Sequence, residues 1–137
     1  METGEKRKDS AVASISDQAL DAIAARLQRQ LEHERQRDEA ERQRILERAR
    51  IVGEVAQRFS GVRRLYLFGS VLVPGQFYFE TSDVDVGVVG TLGVEFFKLG
   101  AALDQHFDRT VDLIDIDPTT PFGQLILTRG VCIYDAK

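Results

Sequence analysis

The sequence predicts an α/β (α+β) fold: a small mixed β-sheet with helices packed on it, preceded by a long N-terminal helical extension. Three observations predict it. From Ser16 to Phe59, apolar residues recur at spacings of three and four with no proline and no glycine until Gly53, the period of a helix. From Arg63 onward, short apolar runs rich in valine and isoleucine are bounded by Gly-Ser, Gly or Pro, the pattern of strands ended by turns. Strand and helix patterns then alternate to the C-terminus, as they do where a sheet is covered by helices.

Each element follows from its residues. The polar opening, residues 1–15, reads as a disordered tail and is too polar for a signal peptide. Ser16 to Phe59 reads as helix. Leu20, Ile23, Ala24, Leu27 and Leu31 form one apolar stripe, and Ile45, Ala49, Val52, Ala56 and Phe59 form a second. Glu32 to Arg44 between them has no large apolar residue, so it reads as a solvated bridge. Residues 16–41 are therefore assigned to a helical arm and 42–137 to the domain proper, with Ser60-Gly61 stopping the helix. Strands are predicted over Arg63–Phe68, Asp83–Val89, Thr110–Ile116 and Val131–Tyr134. Val94 to Phe107 reads as a helix with a broad apolar face. Thr120-Pro121 is an N-cap with proline at the first helical position, opening a short helix that Gly130 closes.

Composition excludes several functions. Of 137 residues, 43% are hydrophobic and 29% charged, so a core is available. The first 60 residues balance their charges, and the net charge of −4 lies wholly in the rest. An acidic domain disfavours nucleic acid as a partner and draws divalent cations. One cysteine, Cys132, leaves no internal disulfide or cysteine-based zinc site and reads as a small core residue. No apolar run reaches the ~20 residues of a membrane span; a cytoplasmic protein is expected. His33 and His106 lie too far apart to suggest a catalytic pair.

Candidate chemistry concentrates at three places. Gly69-Ser70 ends the strand Leu65-Tyr66-Leu67-Phe68, where backbone N–H groups and a hydroxyl can approach an anion; alone, Gly-Ser after a strand is usually just a turn. Asp83-Val84-Asp85 would set two carboxylates on one strand face with Val84 and Val86 in the core. Like charges side by side repel, and a hard cation such as Mg²⁺ relieves that repulsion; taken alone, the pair reads first as an exposed strand end with Ser82-Asp83 as turn residues. Asp112 stands among Val111, Leu113 and Ile114, a poor place for a lone carboxylate. Asp115 and Asp117 run into Pro118 and read as turn residues. Strict alternation puts Ile114 and Ile116 on the Asp112 face, so that face needs cover from a partner subunit or from the N-terminal arm.

In this order the residues resemble the DNA polymerase β-like nucleotidyltransferase superfamily, and within it the minimal nucleotidyltransferases, small proteins often encoded beside a HEPN-domain partner. The resemblance spans Ile45 to Tyr134: Leu65-Tyr-Leu-Phe-Gly-Ser70, Ser82-Asp-Val-Asp85, Val111-Asp-Leu-Ile114, and Pro121-Phe through Arg129-Gly-Val-Cys-Ile-Tyr134. It implies a polymerase β-like fold in which Gly69 and Ser70, with Ser82 beside them, bind the phosphates of ATP or another nucleoside triphosphate. It implies that Asp83 and Asp85 bind two Mg²⁺ ions and that Asp112 binds one of them and helps deprotonate the attacking hydroxyl. It also implies transfer of a nucleotide, AMP from ATP, to a hydroxyl on a partner such as a HEPN toxin, which would make the chain an antitoxin. Two departures stand out. The connection Val71 to Ser82 is longer than the family's usual one, and Val71-Leu72-Val73-Pro74-Gly75 lacks the arginine that commonly follows the serine. They favour the alternative, a weak or inactive module of this fold that binds and neutralises or scaffolds a partner. The Leu20–Leu31 stripe suits a partner protein or a homo-oligomer formed through the N-terminal helix.

Overall fold

Val84 to Gly90 is the centre of the sheet, and its valines show why. Val84, Val86 and Val88 are fully buried, the period-2 signature of a strand with one face in the core. The computed structural model describes residues 15–137; the tail expected over residues 1–15 lies, except for Ile15, outside the described residues. In chain order the elements are α1 (Asp17–Arg50), α2 (Gly53–Ala56), β1 (Val62–Phe68), a 3₁₀ turn (Gly69–Leu72), β2 (Val84–Gly90), α3 (Glu95–Phe107), β3 (Val111–Asp115), α4 (Pro121–Arg129) and β4 (Val131–Asp135). Among the described residues no helix is long and apolar enough to cross a membrane.

The chain divides into two compact units between Gln36 and Arg37. In the first, Leu20, Ile23, Leu27 and Leu31 are 43–54% exposed, so the N-terminal stripe forms and stays open to solvent. The second holds the sheet, ordered β3-β2-β1-β4. β1 pairs antiparallel with β2 and with β4, while β2 and β3 are parallel. Parallel neighbours need a crossover, and α3 supplies it.

The predicted helix to Phe59 is broken in the structure. Four bonds, Ile51 to Arg48, Val52 to Ala49, Glu54 to Ile51 and Val55 to Val52, have i→i−3 spacing; the ladder tightens just where β-branched Ile51 and Val52 run into Gly53. The turn still delivers Ile45, Ala49, Val52 and Ala56 to the main core beside Leu65, Leu67, Leu99, Leu103 and Phe107.

The charged stretch corrects a second expectation. Glu41 and Arg42 are buried rather than solvated. The Arg42 Nε–H donates to the Val71 carbonyl at 2.7 Å, and Glu41 accepts from both Arg44 and Arg109. A charged side chain can be buried when every donor finds an acceptor, and the Val71–Ser82 connection provides the acceptors.

The opposite sheet face carries a smaller cluster, Tyr66, Ile116 and Ile126, with Phe68, Val89, Ile114 and Leu127 against it. Ile126 and Leu127 belong to α4, so the chain's own C-terminal helix covers Ile114 and Ile116. The cover expected from a partner or from the arm is not needed there. Thr120 caps α4 by accepting from the Gly123 N–H at 3.0 Å, and Pro121 begins it. Cys132 is also not in the core: β4 is an edge strand, and the thiol is exposed.

Candidate active site

Register brings the acidic residues together. In the parallel β2–β3 pair, Asp85 stands opposite Asp112; in the antiparallel β1–β2 pair, Phe68 stands opposite Asp85. Laterally paired residues share a sheet face and lie about 5 Å apart. Phe68, Asp85 and Asp112 therefore form one row across three strands, on the face that α4 covers further along. Asp83 arrives differently from the expectation: β2 begins at Val84, so Asp83 is the exposed residue before the strand rather than its first carboxylate.

The site is electrostatically strained. Burial, reinforced by the carboxylates of Asp112 and Asp83, pushes the Asp85 carboxyl up to about 6. None of the three aspartates forms an ion pair among the described residues. Among those residues no group of three or more His, Cys, Asp or Glu side chains is gathered closely enough to hold a metal ion as it stands. The aligned pair is Asp85 and Asp112; Asp83 stands exposed two residues before Asp85, near enough for its charge to act on that carboxyl. A donor set made only of carboxylate oxygens, uncompensated by any cation of the protein, fits a hard divalent ion such as Mg²⁺ in kind.

Gly69 closes the site from the other side. It has φ +81°, and a Cβ there would lie 2.1 Å from Asp85 Oδ2. Both facts require glycine: the left-handed backbone disfavours a side chain, and the carboxylate occupies its place. Ser70 follows in the 3₁₀ turn, half-buried. The Gly69→Ala variant is expected to lose roughly 1–2 kcal/mol of stability to backbone strain and, by displacing Asp85, about tenfold or more in divalent-metal affinity. Urea melts and a Mn²⁺ titration of the variant check both.

Ser82 has a partner within the protein, accepting from the Tyr78 N–H at 2.8 Å. The connection in which it sits folds back on its own domain. Phe77 is buried, Asp38 accepts from the Phe79 N–H at 2.8 Å, and Arg37 lies 4.7 Å over the Phe79 ring. Arg109 organises the far end: its guanidinium donates to the carbonyls of Tyr78, Phe79 and Ser82 and to Glu41, and lies 4.9 Å over Phe77. Arg44 first, and Arg109 with it, holds the Glu41 carboxyl below its usual range. Neither Arg109 nor Arg42 was identifiable from sequence, because their acceptors are backbone carbonyls. Asp117 is a turn residue, accepting from the N–H and hydroxyl of Thr119.

The sequence profile described as "Polymerase beta, Nucleotidyltransferase" matches residues 51–137, the stretch that holds the whole sheet and every aspartate of the row. The chain belongs to the polymerase β nucleotidyltransferase family. Solved structures share the nucleotidyltransferase fold. A mutant of the MntA–HpeT toxin–antitoxin complex matches at 18% identity with a TM-score of 0.51, over 65% of this chain and 74% of that one. A toxin–antitoxin with AMP-PNP matches at 22% identity and the same TM-score, over 66% and 74%. A tri-AMPylated HEPN toxin of Shewanella oneidensis in complex with an MNT antitoxin matches at 19% identity and a TM-score of 0.47, over 65% and 71%. No protein of curated function matches the sequence.

Proposed function

We propose that this nucleotidyltransferase moves AMP from ATP to a hydroxyl on a partner protein, of the HEPN toxin class, and acts as its antitoxin. The observation that carries the reading is the row in which Asp85 and Asp112 face each other across β2 and β3 with Gly69 held against the Asp85 carboxylate. The HEPN class of the partner is taken from the resemblance carried by the sequence motifs, and a toxin partner and an adenine nucleotide are supported by the toxin–antitoxin structures that share the fold, one of them with AMP-PNP.

In this reading Asp83, Asp85 and Asp112 would hold Mg²⁺, two ions when nucleotide is bound, and Gly69, Ser70 and Ser82 would receive the phosphates. The bound cation supplies charge neutralisation on the transferring group. The acceptor oxygen forms a bond to the α-phosphorus while the bond from that phosphorus to the bridging oxygen breaks. Its electron pair leaves with pyrophosphate, and the hydroxyl proton passes to the Asp112 carboxylate. The residues contribute position and charge rather than a covalent intermediate, as phosphoryl-type transfer requires.

Incubation of the purified chain with α-labelled ATP, Mg²⁺ and its cognate toxin tests the proposal. Label is expected on the toxin, lost in Asp112→Asn and reduced at least tenfold in Asp83→Asn. Tight toxin binding without label, unchanged in both variants, supports instead the non-catalytic module, for which the arginine-free connection after Ser70 argues.

A further inference from the structure

Four large aliphatic side chains of the first compact unit, Leu20, Ile23, Leu27 and Leu31, stand 43–54% exposed on one continuous helix. We propose that this stripe pairs with the same stripe of a second copy of the chain, the two helices running antiparallel. The segment lies outside residues 51–137, the part matched by the nucleotidyltransferase family, so the pairing belongs to the arm and does not rest on the transfer reading.

Spacing makes the stripe a seam for another helix. Leu20, Ala24, Leu27 and Leu31 follow one another at intervals of four, three and four, the repeat that keeps a seam turned towards a partner helix. Ala24 is exposed with the leucines, and Ile23 widens the seam on one side. A short isolated peptide would have to form its helix on pairing. Here the seam is part of a helix of 34 residues, in place before a partner arrives.

Charge selects the partner and its direction. Between Leu20 and Leu31 the charged residues are Asp21, Arg26 and Arg29, so the span is acidic in its first half and basic in its second. None of the three forms an ion pair among the described residues. A reversed second copy sets Asp21 of each chain against the half of the other that carries Arg26 and Arg29. That is the self-complementarity a two-fold contact demands. A parallel copy would instead set Arg26 beside Arg26 and Arg29 beside Arg29. Size agrees with charge. Aligned antiparallel about the Ala25–Arg26 bond, Leu20 meets Leu31 at each end, and small Ala24 meets large Leu27 in the two middle layers, so the side chains interdigitate.

Sedimentation equilibrium of the full chain, at concentrations from about 1 to 200 μM, tests the pairing. Wild type is expected to pass from one chain to two as concentration rises. Leu27→Lys is expected to raise the dissociation constant at least about a hundredfold, because it buries a charge in the seam. Leu27→Ala shortens the side chain but keeps a strong helix former, and should raise it roughly tenfold. Leu27 is half exposed in the single chain, so the fold tolerates both changes, and circular dichroism verifies that the helix persists. Direction is read by disulfide trapping in a Cys132→Ser background. Leu20→Cys and Leu31→Cys, mixed and mildly oxidised, are expected to cross-link to each other rather than each to itself. A wild type that stays monomeric throughout overturns the proposal, as does a dimer equally tight in both Leu27 variants, which would be held elsewhere on the chain. Assembly beyond two chains, or cross-linking of each cysteine variant chiefly to itself, also overturns it, since neither fits an antiparallel pair.

Discussion

Asp85→Asn is expected to reduce nucleotidyl transfer by roughly a thousandfold while raising the melting temperature of the metal-free protein at pH 8. The two effects have one origin. Asp85 is the carboxylate that burial and its neighbours Asp112 and Asp83 make reluctant to ionise, with its titration raised from 3.8 to about 6. Between those values the folded chain binds more protons than the unfolded one, so stability falls as pH rises through the window. Above pH 6 the full penalty is present; below about 4 it is gone. An amide cannot ionise and escapes the penalty. The shift at full weight would correspond to about 3 kcal/mol, but Asp85 is partly solvated, and screening reduces the expected gain to about 1 kcal/mol, or roughly 4 °C. Melting curves from pH 4 to pH 8 should show the variant's advantage growing through the window and then levelling. Addition of MgCl₂ should reverse the order, since a ligand that binds only the folded state stabilises it and the variant has lost a ligand. An Asp85→Asn protein that is no more stable than wild type at pH 8, or that still gains stability from Mg²⁺, would contradict a cation site centred on this residue.

The parts of this molecule legible in its sequence are those written in local pattern. Val84, Val86 and Val88 announce a half-buried strand by alternation, Thr120-Pro121 announces a capped helix, and Gly69-Ser70 with Asp85 and Asp112 announces a site through residue types that strands and turns do not otherwise favour. What was not legible depends on which residues meet across the chain. Glu41 and Arg42 look like solvent-facing helix residues because nothing near them in sequence tells that the Val71 and Leu72 carbonyls will arrive to accept from Arg42, or that Arg109 will arrive to donate to Glu41. Cover over Ile114 and Ile116 was expected from a partner subunit or the N-terminal arm, yet Ile126 and Leu127 of α4 are enough to close a cluster around Ile116. Cys132 alternates with apolar neighbours like a core residue, but alternation does not say that β4 lies at a sheet edge. The start of β2 shifts for a similar reason: Asp-x-Asp promises two strand residues, whereas the pairing of β2 begins at Val84 and leaves Asp83 just before it.

Arg109→Ala, which removes the anchor of the Val71–Ser82 connection, is expected to destabilise the protein by about 2–3 kcal/mol. Its guanidinium donates to three backbone carbonyls and one carboxylate, and side-chain exposure of the ion pair with Glu41 is only 13% and 9%. Removing one partner of a buried pair commonly costs about 3–5 kcal/mol because the other charge is stranded. Here Glu41 keeps two hydrogen bonds from Arg44, each 2.8 Å, so the carboxylate is not stranded and the lower figure applies. The carbonyls of Tyr78, Phe79 and Ser82 lose a charged donor, and Phe77 and Phe79 lose the cation over their rings. Arg109→Lys separates the contributions. It restores a positive charge near Glu41 but not a planar fork able to reach several carbonyls at once, so about half the loss should remain. The functional consequence follows from sequence adjacency: the carbonyl held by Arg109 belongs to Ser82, the residue before Asp83. Freed of that anchor, Asp83 should be placed less firmly beside Asp85 and Asp112, and Mn²⁺ affinity should fall several-fold in Arg109→Ala even under conditions where the variant remains fully folded. Urea melts and metal titrations of both variants provide the measurement. A loss of stability below about 0.5 kcal/mol, or unchanged Mn²⁺ affinity in the folded Arg109→Ala protein, would show that the loop holds its shape, and Asp83 its place, without the guanidinium.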